Sequence, residues 1–137
     1  MMKILELYSG AHYRLTTIEA SNPKGAIVTF NHLHSDLHPS VSAQHFASPT
    51  ARGLFYETGL TEYHIVSNKN DWFQHEEIFS LLEIIKNQNG TGKHITLYGS
   101  SMGAFGAVNL SYYLKGKFVA FSPQSTLDQN KPPHDPR

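Results

Sequence analysis

The chain has 137 residues, with eleven Lys plus Arg balanced by eleven Asp plus Glu, and no cysteine. That length suits one domain with a real core, and a formal charge of zero leaves no basic field for a nucleic-acid backbone or an anionic membrane surface. Disulfides, thiolate chemistry and cysteine-ligated zinc are excluded, which fits a reducing compartment and makes the cytoplasm the default location.

The N-terminal stretch Met1 to Tyr8 has Lys3 as its one basic residue, and Glu6 interrupts the apolar run before a signal-peptide core is complete. No stretch approaches the length of a membrane span. Residues 4–20 alternate weakly around Ser9-Gly10, with Tyr13 to Ile18 as a second strand, so a leading antiparallel hairpin is expected. After the turn Asn22-Pro23-Lys24-Gly25, the run Ala26-Ile27-Val28-Thr29-Phe30 suits a strand buried on both faces of a parallel sheet. Residues 31–50 are polar, rich in His and Ser, and read as loop or short helix.

Tyr63 to Ser67 is the next strand. Asp71 and Gln74 are spaced as a capping box, which predicts a helix starting near Trp72. Ile78, Leu81, Leu82 and Ile85 recur at helical spacing, and Asn87-Gln88-Asn89-Gly90 closes the pattern. His94 to Tyr98 is a compact strand, Ala104 to Leu114 a helix closed by Gly116, and Phe118 to Phe121 the last strand. Strands alternating with helices predict an α/β fold, a three-layer α/β/α arrangement with a mostly parallel sheet and an antiparallel N-terminal hairpin. The domain is expected over residues 1–127, with 128–137 a polar, proline-rich tail.

Between the strand at 94–98 and the helix at 104–114 stands Gly99-Ser100-Ser101-Met102-Gly103. A Gly-x-Ser-x-Gly string in a strand-to-helix turn is a nucleophile elbow: small flanking residues let the backbone pass close to its neighbours, and the turn lifts the serine hydroxyl above the carboxyl edge of the sheet. The following helix N-terminus offers free amides, that of Met102 among them, to a developing oxyanion. The rival reading takes Gly99, Gly103 and Gly106 as a glycine-rich pyrophosphate turn. It needs an acidic residue about 20 positions onward, and the next strand ends in Phe121-Ser122-Pro123-Gln124 without one.

On Tyr98-Gly99-Ser100-Ser101-Met102-Gly103 and the order of its elements, the chain resembles the α/β-hydrolase family from the leading hairpin to Phe121. The resemblance implies a serine hydrolase acting on an ester or related acyl bond through Ser101, with a second oxyanion donor from the loop after the third strand, at His32 or Leu33. Asn31-His32 stands where many members have His-Gly. Family members place their acid after the sixth or seventh strand and their histidine after the eighth, and this chain is expected to stop after the sixth, as a truncated hydrolase-like domain. His134 and Asp128 are then the candidates for base and orienting acid.

Trp72 and Phe73, with Phe46, Phe55 and Tyr56, are candidates for the wall of a substrate cleft, and Ser122 for a polar substrate contact. His32, His34, His38 and His45 match no metal-ligand spacing, so no metal and no cofactor is expected. His32 and His75 are the loop histidines that could stand near the serine. An exposed edge at the sixth strand would favour a homodimer. The alternative to an enzyme is a silent or incomplete hydrolase-like module that binds a partner or forms part of a longer enzyme.

Overall fold

A computed structural model describes residues 2–32, 46–90 and 93–121. Six strands form one mixed sheet in the order β1-β2-β4-β3-β5-β6, where β1 is Ile4–Ser9, β2 Tyr13–Ile18, β3 Gly25–Phe30, β4 Leu60–Ser67, β5 His94–Ser100 and β6 Lys117–Phe121. The leading hairpin is antiparallel, with β2 antiparallel to β4 as well; β4, β3, β5 and β6 run parallel. The α/β class and the mostly parallel sheet expected from the sequence are both present. All six residues of β3 are buried, because this strand is flanked by β4 and β5. None of the helices among the described residues is long and apolar enough to cross a membrane.

Helix α1 (Ile78–Asn89) follows β4, and α2 (Met102–Leu114) follows β5. Ile78, Leu81, Leu82 and Ile85 from α1 and Met102, Ala107 and Leu110 from α2 join Leu15, Val28, Phe30, Ile65 and Leu97 in one core cluster, so both helices cover the same face. Side chains alternate across a strand, so Thr16 and its cross-strand partner His64 point to the other face. There the chain at 53–56 meets them, leading into a 3-10 turn at Tyr56–Thr58.

Three boundaries differ from the sequence expectation. Helix α1 begins at Ile78, not near Trp72, because Trp72 and Phe73 both have left-handed backbones (φ 59° and 56°) that no right-handed helix accommodates. The Asp71 carboxylate does not cap this helix: it accepts the Phe73 amide at 3.0 Å and the Tyr13 hydroxyl at 2.6 Å. Strand β4 begins at Leu60, so that Glu62 lies inside the sheet, fully buried. At the end of α2 it is Lys115, with φ 53°, that takes the left-handed capping position ahead of Gly116.

Candidate active site

Strand β5 runs directly into α2 through Ser101, whose φ of 54° and ψ of −119° lie outside the regions an L-residue with a Cβ occupies at ease. The Ser101 amide donates to the Phe121 carbonyl at 2.9 Å, continuing the β5–β6 ladder, while its carbonyl accepts the Phe105 amide at 3.1 Å and opens the helix. One residue thus belongs to both elements, which forces the sharp turn. The amides of Met102, Gly103 and Ala104 precede the first helical bond and have no partner within the ladder.

Both flanking glycines are dictated by contact. A Cβ on Gly99 would enter the Gly103 carbonyl group across the turn. A Cβ on Gly103 would stand 2.5 Å from the Phe30 carbonyl oxygen and 2.9 Å from that of Asn31. The second contact has a consequence for chemistry: it seats the start of α2 against the loop leaving β3, so that the Asn31-His32 segment and the Met102 amide lie beside the same turn. Asn31 is buried, its side-chain oxygen accepts the Ser67 amide at 2.8 Å, and its amide group donates to the His32 carbonyl at 2.9 Å. The ends of β3 and β4 are tied together there, and the His32 peptide is oriented by that tie.

Trp72 and Phe73 reach the same helix. Phe73 is buried with its ring 5.1 Å from that of Phe30, and Trp72 stands edge-on to Phe105, one helical turn beyond Ser101, at 5.7 Å. Together with Ile78, Phe79 and Gly106 they line a cavity of about 230 Å³ between the two helices. Their unusual backbone is held from below: the Tyr13 hydroxyl donates to Asp71 and accepts the His75 amide at 3.1 Å. Burial first, and then the Asp71 carboxylate, push the Tyr13 phenol well above its ordinary pKa, so it stays a donor.

Compared with models of known protein families, the chain matches none, and no curated protein matches it either.

Of the residues singled out by sequence, Ser101, Met102, His32, Trp72 and Phe73 belong to elements that converge on the carboxyl edge of the parallel strands. Leu33, Ser122, Asp128 and His134 lie outside the described residues, as do His34, His38 and His45. Among the described residues the Ser101 hydroxyl has no hydrogen-bond partner. His75 turns away from the elbow: its ring stacks on that of His12 at 3.6 Å, and its Nδ1 accepts the Glu77 amide at 3.0 Å.

Two groups were missed. His12, His75 and Glu77 offer donor atoms all within 4.8 Å of one another, a spacing compatible with a metal ion. In the arrangement described these groups already have partners, since Glu77 accepts the His12 ring at 3.1 Å and the amides of His12 and Tyr13, while the His75 Nδ1 accepts the Glu77 backbone amide. Burial would raise the Glu77 pKa, and these hydrogen bonds outweigh it and hold the carboxyl below its usual range. The cluster knits the β1–β2 turn to the start of α1, and Glu77 is 65 positions from His12, so no local pattern announces it. The second group, Thr16, His64 and Glu62, lies on the other face of the sheet. The alternation of Glu62 and His64 along one strand was its one visible signal.

Proposed function

We propose that the chain is a serine-dependent hydrolase of the α/β-hydrolase type, acting on a small ester or related acyl substrate through Ser101. The observation that carries this reading is the Ser101 backbone at φ 54° and ψ −119°, held between a strand and a helix by two glycines that cannot bear a Cβ. Backbone strain at a lone serine, followed at once by the first-turn amides of a helix, is the geometry an exposed nucleophile needs.

In the proposed mechanism the Ser101 oxygen attacks the substrate carbonyl while a base takes its proton. The oxyanion forms beside the Met102 amide and an amide of the loop at His32 to Leu33. Collapse expels the alcohol, which recovers the proton, and water then releases the acid from the acyl-enzyme. His134 and Asp128 are the candidates for base and acid, with Trp72, Phe73 and Ser122 against the substrate. The same proposal includes a three-layer α/β/α architecture of truncated hydrolase type, of which the described residues supply the mixed sheet with its antiparallel leading hairpin and one helical layer. It also includes a cytoplasmic location, and a homodimer through β6, whose Phe118, Val119 and Phe121 are exposed.

A second reading, a silent or incomplete module, is favoured by the unpartnered Ser101 hydroxyl among the described residues, since a serine without a base is a weak nucleophile. Stopped-flow hydrolysis of p-nitrophenyl acetate separates the two. The enzyme predicts a burst of about one equivalent of nitrophenolate per chain, absent from Ser101→Ala. No burst from folded protein supports the silent module.

A further inference from the structure

The sheet face opposite the two helices carries a charged assembly that the serine site does not use. Glu62 and His64 are both fully buried there. Burying a carboxylate is costly unless its oxygens are paired, and a buried imidazole likewise needs a partner for each ring nitrogen. Pairing is complete: the Glu62 carboxylate accepts the amides of Gly53, Phe55 and Tyr56 at 2.8–2.9 Å and the His64 Nε2–H at 2.8 Å. Burial opposes ionisation of Glu62, and these donors overcome it, holding its pKa below the ordinary value.

Burial also holds the His64 pKa below its ordinary value, so the ring is neutral, with its one proton on Nε2. The bare Nδ1 therefore accepts the Thr16 hydroxyl at 2.9 Å, and the Thr16 oxygen accepts an Arg52 guanidinium N–H at 3.2 Å. The chain of donors ends on Arg52, and the loop that carries Arg52 is pinned by the three amides bound to Glu62. Its guanidinium is positioned before any ligand arrives, which lowers the ordering cost of binding.

Arg52 and Thr16 line a cavity of about 420 Å³ together with Arg14, Phe46, Pro49 and Val66. The Arg14 guanidinium lies over the Phe46 ring at 4.2 Å, and its Nε is buried with no hydrogen-bond partner among the described residues. Among the described residues Glu6 is the one acidic group of the lining, and it forms a long ion pair with Arg14, 4.0 Å from that Nε and beyond hydrogen-bond reach. Two guanidiniums against one carboxylate leave the cavity positive, and an orphaned buried donor is costly until an acceptor reaches it.

We propose that this cavity is a second ligand site, which binds a small organic oxyanion between Arg14 and Arg52 and rests the apolar part of the molecule against Phe46, Pro49 and Val66. A carboxylate and a phosphate monoester both present oxygens matched to a guanidinium fork. Isothermal titration calorimetry of the full chain with benzoate and with phenyl phosphate, at constant ionic strength against sodium chloride, tests the site. Saturable binding with one ligand per chain is expected, weakened roughly tenfold or more in Arg14→Gln and in Arg52→Gln. Arg52→Lys, which keeps the charge and loses the fork, should also bind more weakly, and Ser101→Ala should bind as wild type does. Tighter binding of benzoate identifies a carboxylate ligand, and tighter binding of phenyl phosphate a phosphate ester. Heats no larger than those of sodium chloride, or binding that survives both glutamine substitutions, would overturn the proposal.

Discussion

Replacing Ser101 with glycine should stabilise the fold, and replacing it with alanine should not. The Ser101 backbone sits at φ 54°, ψ −119°, a conformation that costs a residue with a Cβ about 1–3 kcal/mol. Glycine escapes that cost but loses about 0.5–1 kcal/mol through the greater freedom of its unfolded chain. The net gain is centred on about 1 kcal/mol (roughly 0–2.5), which for a domain of this size raises the melting temperature by about 4 °C and at most about 10 °C. Alanine keeps the Cβ and the strain while deleting only a hydroxyl unpartnered among the described residues, so its stability should stay within about 0.5 kcal/mol of wild type. Urea unfolding of the three proteins, followed by far-ultraviolet circular dichroism with a common slope, measures the difference. A glycine variant no more stable than the alanine variant would show that the turn is unstrained, and the elbow would lose its physical basis.

Gly103→Ala should act in the opposite sense, because its Cβ would stand 2.5 Å from a backbone oxygen that cannot rotate away; a loss of about 1–3 kcal/mol is expected in the same unfolding assay. Glu62→Gln should cost about 2–6 kcal/mol, since the new NH₂ group faces donors where two buried N–H groups now find an acceptor, each worth about 1–3 kcal/mol unsatisfied. A Glu62→Gln chain as stable as wild type would contradict the pairing described. Acid should destabilise the fold in two stages. The folded pKa of His64 lies below its unfolded value, so its contribution is present above about pH 6.5 and declines as the pH falls below that, where the unfolded chain takes up the proton. The pKa of Glu62 is also lowered, so its contribution holds above about pH 4.3 and is lost as the pH falls through its folded value. Thermal melts between pH 8 and about pH 2 should fall monotonically on the acid side, and a melting temperature that rises on acidification would refute the assignment.

Much of the scaffold could be read from local pattern because the signals are local. The β-branched run at Ala26 to Phe30 needs no partner to declare a buried strand, and the two glycines around Ser101 declare a close backbone approach that the contacts with Phe30 and Asn31 bear out. Where the reading failed, a distant group had intervened. Asp71 and Gln74 have the spacing of a capping box, but the Tyr13 hydroxyl, 58 positions away, captures Asp71 and holds Trp72 and Phe73 out of helical conformation. The burial of Glu62 depends on amides of a loop whose path no periodicity reveals. The elbow within the candidate site was legible for the same reason as the strands. The candidate acid and base, Asp128 and His134, lie outside the described residues, and a triad leaves no fixed spacing in the chain by which local pattern could single them out.

Covalent labelling with a fluorophosphonate probe, followed by intact-mass measurement and peptide mapping of the full chain, tests most directly whether Ser101 is the activated nucleophile proposed. One label per chain, located on Ser101, displacing fluoride and absent from a folded Ser101→Ala variant, is the predicted result. A folded wild-type protein that takes up no label, or labelling that persists in Ser101→Ala, would contradict it.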